Sequence, residues 1–124
     1  MLKAIETKNA PGAVGPYSQA ISAAGMIFSS GNLPIDPATG EIPATVEEQT
    51  KQSLENLKAV IEAGGATLAD VVKTTVFIKD MNDFAKVNAV YAEYFKSPFP
   101  GRSCVEVARL PKDVLVEIEG IAVK

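Results

Sequence analysis

The sequence predicts an α+β fold, and three observations support that prediction. Two stretches, residues 46 to 63 and about 82 to 95, place apolar or small residues at helical spacing. Three others, residues 19 to 30, 71 to 79 and 103 to 123, are rich in β-branched residues or alternate in polarity, as strands do. Third, these elements follow the order strand, hairpin, helix, strand, helix, hairpin. Two amphipathic helices can cover only one face of the sheet that this order forms.

Composition and charge exclude several classes of function. A chain of 124 residues is long enough for one domain with a real core, which we predict to span residues 1–124. Net charge is −3 and the twelve basic residues are dispersed, so no nucleic-acid partner is expected. No apolar run approaches the ~20 residues of a membrane span, and no signal peptide is apparent, so we expect no membrane association.

The scarcity of cysteine and histidine limits the available chemistry further. Cys104 is the only cysteine and cannot form an internal disulfide, which fits a cytoplasmic location. There is no histidine, which excludes a serine–histidine triad and, with a single cysteine, a structural zinc site, so no metal is expected. Any chemistry must come from carboxylates, tyrosines, arginines, Cys104, backbone groups or water.

The first quarter of the chain is predicted to form a strand at residues 2 to 7, a loop, and a hairpin of residues 19 to 23 and 26 to 30. The loop ends near Tyr17, which can serve in packing or in a site. At the end of the hairpin, Ser30 and Gly31 allow a backbone to approach a ligand closely, and turn formation alone also explains them.

The first helix has clear boundary signals. Thr45 and Glu48 form a capping-box pattern before a helix predicted over residues 46 to 63, and Gly64 or its neighbour is expected to end it in a left-handed conformation.

The centre of the chain is predicted to hold a strand with two dry faces and a second helix. One face of the strand would carry Val72, Thr74, Val76 and Ile78, and the other Val71, Lys73, Thr75 and Phe77. The helix would start at Asp80 or Asn82, end near residue 95, and bury a stripe of Met81, Phe84, Asn88, Tyr91 and Phe95. Asn88 is polar; it can lie at the edge of this stripe or bond to a loop near a pocket.

The segment from residue 99 to 120 contains the most suggestive pattern. Alternation from Ser103 and an apolar run from Val114 to about residue 123 predict two strands, and the short turn between them predicts that they pair antiparallel. Arg102 then lies at the entrance of this hairpin, and Glu117 lies in the return strand. Together they can bind an acid and handle a proton, or they can form an ion pair with each other.

The last strand is apolar on both sides, although the helices cover only one face of the sheet. A monomer would therefore expose a large apolar patch. We predict a homo-oligomer that packs these sheet faces together, with Glu117 and Glu119 near or within the interface.

Several motifs together resemble one known family, the reactive intermediate deaminases (RidA, formerly YjgF). They are Gly15-Pro-Tyr-Ser-Gln, Ser30-Gly-Asn-Leu-Pro, Val72-Lys-Thr-Thr-Val-Phe, Asn82-Asp-Phe and Pro100-Gly-Arg-Ser-Cys-Val-Glu-Val-Ala-Arg-Leu-Pro-Lys-Asp. The resemblance covers essentially the whole chain. It implies a chorismate-mutase-like fold with a mixed, mostly antiparallel sheet and two helices on one face. It also implies a homotrimer with active sites between subunits.

The resemblance further implies an activity: hydrolysis of 2-imino acids such as 2-iminobutanoate and 2-iminopropanoate, released by pyridoxal-phosphate dehydratases, to 2-oxo acids and ammonia. Arg102 and Glu117 would be catalytic, and the substrate would also contact Tyr17, Ser30, Gly31, Asn88 and the backbone of Cys104. Gly101, Gly120 and Asn32 depart from the residues that the family more often shows.

This chemistry suits the residue types. An arginine can grip a carboxylate bidentately, and a glutamate can deprotonate or orient water. No cofactor is expected, because a protonated imine is already an electrophile. Cys104 has no histidine to activate it as a nucleophile. The alternative is a trimeric, chaperone-like protein that binds small carboxylates without turnover, in which the glutamate would have no proton to handle.

Overall fold

A six-stranded sheet forms the framework of the computed structural model, which describes all 124 residues. Its strands run in the spatial order β1-β2-β3-β6-β4-β5. Every neighbouring pair is antiparallel except β4 and β5, which are parallel. The elements are β1 (Lys3–Ile5), β2 (Ala20–Ala23), β3 (Met26–Ser29), α1 (Val46–Ala63), β4 (Val71–Ile78), α2 (Phe84–Tyr91), β5 (Gly101–Glu106) and β6 (Val116–Val123). The α+β class and the mixed, mostly antiparallel sheet are confirmed.

Helix α1 has the predicted boundaries because its ends are capped by its own sequence. The Thr45 hydroxyl accepts a hydrogen bond from the Glu48 amide at 3.1 Å, which satisfies a backbone donor that has no partner within the helix. The Glu48 carboxylate returns to the Thr45 hydroxyl at 3.1 Å rather than to the backbone. At the other end, Gly65 adopts a φ of +92°, the left-handed conformation that glycine favours.

Both helices cover the same face of the sheet. Gly120 of β6 faces Leu57 of α1: a Cβ built there would lie 3.4 Å from the leucine side chain. Thr74 of β4, the cross-strand partner of Gly120, shares a 2.7 Å hydrogen bond with Tyr91 of α2. One apolar core fills this layer, and its fully buried members include Ile27, Leu54, Leu57, Ile61, Val76, Ile78, Val116 and Ile118.

The predicted C-terminal hairpin is wrong. Strand β5 pairs only with β4, in parallel, and β6 pairs antiparallel with β3 and with β4, which separates it from β5. The connection is long enough to cross the end of β4: Val107 N donates to Ile78 O at 2.9 Å and Lys79 N donates to Leu115 O at 3.0 Å. A strand that is apolar on both sides is stabilised most in the interior of a sheet, which is where β6 lies.

The prediction for the faces of β4 is wrong at its first two residues. A register shift lies between Val71 and Lys73, so Val71 is buried with Thr74, Val76 and Ile78, and Val72 is exposed. A bulge inserts one residue into the pairing and turns the residues before it to the opposite face. Simple alternation cannot show where such a residue is inserted.

The second helix is shorter than predicted, and its buried stripe differs. Asp80 caps it as expected, accepting from Asn82 N at 2.9 Å, but the first turn is a 3₁₀ turn and the α-helix ends at Tyr91. The core receives Val87, Tyr91 and Phe95, whereas Met81 and Phe84 remain exposed. The tighter 3₁₀ turn rotates the early residues out of the predicted register.

The second face of the sheet carries no helix. Phe28, Val105 and Val123 lie on it and are each about 40% exposed. Phe28 is paired with Ile121, and Val105 and Glu117 both flank Phe77, and cross-strand partners share a face. The result is an apolar surface that also contains glutamates, as the sequence predicted. Neither helix is long and apolar enough to cross a membrane.

Candidate active site

The predicted site residues form two separate groups. The first, here the arginine half-site, consists of Asn88, Arg102 and Cys104, on α2 and β5. The second, here the carboxylate half-site, consists of Tyr17, Ser30, Gly31 and Glu117, around the ends of β2 and β3 and on β6.

In the arginine half-site, Arg102 is held by one amide and two aromatic rings. Its Nη1 donates to Asn88 Oδ1 at 2.8 Å. The guanidinium carbon lies 4.8 Å from the ring centroid of Tyr91 and 5.5 Å from that of Phe84, within the range of a cation–π interaction. Asn88 therefore bonds into the predicted site. The sequence left open whether Asn88 lies at the edge of the helix stripe or bonds to a loop near a pocket; its partner is instead the side chain of a strand residue, Arg102.

Arg102 has no carboxylate partner within the chain. The single ion pair joins Arg109 to Asp113, at 2.7 Å on the surface. Because a guanidinium carries five N–H donors and Asn88 accepts from one nitrogen, most of its hydrogen-bonding capacity remains for a ligand. This arrangement suits a planar anion such as a carboxylate.

The backbone of Cys104 lies at an open sheet edge. Directly after β5, in continuation of the strand, Val107 N points to β4 and donates to Ile78 O. Alternate residues of a strand direct their amides to the same side, so the Cys104 N–H points away from β4, where no strand follows. Burial raises the pKa of the Cys104 thiol, and Arg102 offsets this only in part. A protonated thiol beside a free N–H fits a backbone contact better than a nucleophilic sulfur.

In the carboxylate half-site, the chain leaves the sheet between Ser29 and Asn32. Ser29 Oγ accepts from Gly120 N at 2.9 Å, which replaces a strand partner. Ser30 N donates to Gln19 O at 2.9 Å, and Asn32 N rejoins β6 at Ile118 O, also at 2.9 Å. Gly31 N, between them, has no hydrogen-bond partner within the chain. The bulged segment thus offers a free backbone donor beside Glu117.

Glu117 lies directly against Gly31. A Cβ added to Gly31 would lie 2.7 Å from Cδ of Glu117, too close for an ordinary contact, so any larger residue there would have to displace the Glu117 side chain. Burial, and secondarily the charge of Glu119, raise the pKa of Glu117. A half-buried carboxylate with a raised pKa is a suitable proton acceptor near neutral pH.

The other two members of this half-site differ in how firmly they are held. Ser30 Oγ donates to Ser18 O at 2.6 Å. Tyr17 is 48% exposed, and its hydroxyl accepts from Val14 N at 3.3 Å. Packing within one chain therefore does not explain why a tyrosine occupies this position. The ring borders a shallow cavity with Pro11, Val14, Gly31, Leu33 and Ile35.

Sequence reasoning assigned Gln19 only to a strand and missed its role in shaping this half-site. Its amide accepts from Thr7 N at 2.8 Å and donates to the carbonyls of Thr7, Ala10 and Pro11. These bonds fix the base of the loop that carries Tyr17. A nearly buried glutamine can pair with both kinds of backbone group. Its place at the end of the motif Gly15-Pro-Tyr-Ser-Gln was the only sequence signal for this role.

The two half-sites lie on opposite faces of the sheet. Arg102 is paired with Thr74 on the face that the helices cover, whereas Glu117 is paired with Phe77 on the face without helices. Strand β4 also separates them, so the two backbones are roughly 10 Å apart. The internal Arg102–Glu117 ion pair that the sequence left open is therefore wrong, and one small ligand cannot touch both residues of one chain.

Comparison with known proteins gives consistent results. The family described as Endoribonuclease L-PSP matches residues 7–124. The 2-iminobutanoate/2-iminopropanoate deaminase of Escherichia coli strain K12 is 58% identical, with 100% of this chain and 99% of that protein aligned. A RutC family protein of Pyrococcus horikoshii is 59% identical over 100% of this chain and 99% of its own length.

Among solved structures, the crystal structure of E. coli TdcF with bound serine is 54% identical, with a TM-score of 0.95 and 98% of both chains covered. The chorismate-mutase-like fold is thereby confirmed.

Proposed function

Because the chain belongs to the Endoribonuclease L-PSP family, also known as the YjgF/RidA family, we propose that it is a 2-iminobutanoate/2-iminopropanoate deaminase. It hydrolyses reactive imines and their enamine tautomers, which pyridoxal-phosphate-dependent dehydratases release, to 2-oxo acids and ammonia. The relatives named for this activity match the full chain at 56–58% identity. The dispersed basic residues, with a net charge of −3, do not favour ribonucleic acid as the substrate.

The observation that carries the proposal is the unpaired guanidinium of Arg102. A half-buried cation that has no internal acid is stabilised when a ligand supplies a carboxylate. Every 2-imino acid carries that group beside its C=N carbon. Binding the carboxylate at Arg102 therefore fixes the position of the carbon that water must attack.

The active protein in this proposal is a homotrimer. The arginine half-site of one subunit and the carboxylate half-site of the next meet at each interface, which gives three sites per trimer. Two observations support it: the half-sites diverge within one chain, and the face without helices is apolar around Phe28 and Val105. Packing these faces together would remove that apolar surface from water.

The proposed reaction needs only residues of the chain and water. Arg102, with the free N–H groups of Cys104 and Gly31, binds the substrate, and Glu117 accepts a proton from water as its oxygen attacks the protonated imine carbon. The same proton passes to the amino nitrogen of the tetrahedral intermediate. Glu117 then accepts the hydroxyl proton of this intermediate as the carbonyl forms and the C–N bond breaks, and it passes that proton to the departing ammonia. A protonated imine and one water thus give a 2-oxo acid and one ammonium ion. We place this reaction in the cytoplasm, which is consistent with a single unpaired cysteine.

The decisive experiment follows imine loss directly. Threonine dehydratase generates 2-iminobutanoate, and semicarbazide traps the imine that remains. We expect the protein to lower the trapped fraction catalytically, at concentrations far below that of the imine. If the trapped imine falls only in proportion to the protein added, the chain binds small carboxylates without turnover, and the proposal is wrong.

A further inference from the structure

The Arg102 guanidinium lies against two aromatic side chains that no role described above requires. Tyr91 presents its ring at 4.8 Å from the guanidinium carbon and Phe84 presents its ring at 5.5 Å. The guanidinium makes only one hydrogen bond within the chain, which it donates to Asn88. A long side chain with one hydrogen bond would ordinarily sample several rotamers, and ordering it on ligand binding would weaken affinity.

The Tyr91 ring is itself held in place. Its hydroxyl shares a 2.7 Å hydrogen bond with Thr74 Oγ1, and both residues are buried, at 7% and 1% exposure. Thr74 is the cross-strand partner of Arg102 on β4. Strand β5, which carries Arg102, therefore pairs with β4, whose Thr74 binds the Tyr91 hydroxyl. Tyr91 also packs against Phe95, with 4.6 Å between ring centroids.

Phe84 is different, because 39% of its surface is exposed although it begins α2. Core packing does not explain an aromatic residue at that position. Its contact with the guanidinium does.

We propose that Tyr91 and Phe84, with Thr74 behind Tyr91, are positioning residues that hold Arg102 in a carboxylate-binding orientation before the substrate arrives. The rings contact the arginine through their faces and leave its remaining N–H donors, which lie at the guanidinium edge, free for the ligand. This inference rests on the proposed function for the identity of the ligand, but the orientation of Arg102 can be measured without it.

The chain contains two arginines, which makes that measurement simple. A ¹⁵N-correlated spectrum of the Nε–Hε groups shows one signal for each arginine. Arg109 is exposed and paired with Asp113, away from Arg102, so its signal serves as an internal reference. A proton above an aromatic face is shielded, so we expect the Arg102 Hε resonance to lie upfield. In Tyr91→Leu and Phe84→Leu it should move downfield, and Arg109 should not change.

The same variants are titrated with 2-oxobutanoate, the stable product analogue. We expect each leucine variant to bind roughly 3- to 30-fold more weakly, which corresponds to the usual strength of a cation–π contact. The loss should appear in KM more than in kcat, because the arginine contact exists before and during the reaction. The double variant Thr74→Val with Tyr91→Phe keeps the ring and leaves no unpaired buried hydroxyl, but it removes the hydrogen bond that fixes the ring. We expect it to bind more weakly than the wild type and more tightly than Tyr91→Leu.

Tyr94→Leu is the matched control, because Tyr94 bonds to Glu55 and does not contact Arg102. Should Tyr91→Leu fail to fold, the exposed Phe84 still provides the test. The inference is wrong if the Arg102 resonance or the affinity is unchanged in the leucine variants that fold. If the wild type does not turn over imines and does not bind 2-oxobutanoate, the proposed function is wrong, and the resonance shifts alone decide the positioning role.

Discussion

The guanidinium of Arg102 is half-buried, and no acid within the chain pairs with it. Removing a cation from water without a partner is unfavourable. The two aromatic faces and the Asn88 carbonyl offset part of that cost. What remains is a cation that gains stability when a ligand carboxylate binds.

Arg102→Lys tests this role. A lysine keeps the charge but cannot form two parallel bonds to a carboxylate or stack as a plane. The loss of one charge-assisted hydrogen bond, ~1.5–3 kcal/mol, should lower kcat/KM by about 10- to 150-fold. Arg109→Lys is the control and should behave as the wild type. A near wild-type kcat/KM for Arg102→Lys would contradict the assigned role.

Glu117→Gln separates turnover from binding. The amide keeps the size and polarity of the side chain but cannot accept a proton as a base. We expect kcat to fall by roughly 10²–10⁴-fold, while calorimetric titration shows nearly unchanged affinity for 2-oxobutanoate. Equal turnover by both proteins would remove Glu117 from the mechanism.

The pH dependence of the reaction follows from the surroundings of Glu117. Its pKa is raised by burial and by the charge of Glu119. A general base must be ionised, so kcat/KM should rise with pH through the raised pKa and level off above it. In Glu119→Gln the nearby negative charge is absent, so the pKa of Glu117 is lower and this rise should move to lower pH. A rise that stays at the same pH in the variant would show that another group controls it.

For individual residues, the sequence indicates which residue types can form a site but not the distances between their side chains. Arg102, Glu117 and Asn88 stand out in the sequence by residue type, and the structure brings Asn88 to Arg102; their roles in a site remain predictions. The contact between Gly31 and Glu117 could not be predicted, because the two residues are 86 positions apart in the chain and meet only through the irregular pairing at the end of β3.

Among the elements, the bulge between β3 and residue 32 contributes most to the site. It removes Ser30 and Gly31 from regular pairing with β6 and leaves the Gly31 amide free. A free amide next to a carboxylate is a common way to bind a polar ligand through backbone atoms.

Gly31→Ala should disable the site without disturbing the fold. The new methyl group would occupy the position of the Glu117 carboxylate and displace it. We expect at least a 10²-fold loss of kcat, comparable to the loss of a general base, with an almost unchanged melting temperature. Gly12→Ala is the matched control, since a Cβ there meets no atom within 4 Å. Wild-type activity in Gly31→Ala would show that this close contact is unimportant.

The boundaries of α1 were easier to predict than the pairing of the last two strands. Helix α1 was correct at both ends because its caps are local, whereas the pairing of β5 and β6 was wrong. A short turn favours a hairpin only when no other strand is available to either partner. Here β4, which is rich in β-branched residues, lies between β5 and β6 and pairs with both.

At the scale of the whole molecule, the sheet has one face buried by helices and one that is still apolar and exposed. The sequence predicted this asymmetry, since two helices cannot cover both faces and β6 carries apolar residues on both of its faces. It could not predict that Arg102 and Glu117 would point to opposite faces, because that follows from the position of β4 between their strands. The divergence of the half-sites is the reason to expect sites shared between subunits.

Mixing two impaired variants tests that expectation most directly. Arg102→Lys and Glu117→Gln are unfolded together in equal amounts, refolded, and confirmed as trimers by sedimentation. If each site takes its arginine from one subunit and its glutamate from the next, about a quarter of the sites in random mixtures are intact. We therefore expect about a quarter of wild-type kcat from the mixture, far above either variant alone. Activity that stays at the level of the separate variants would contradict a shared site.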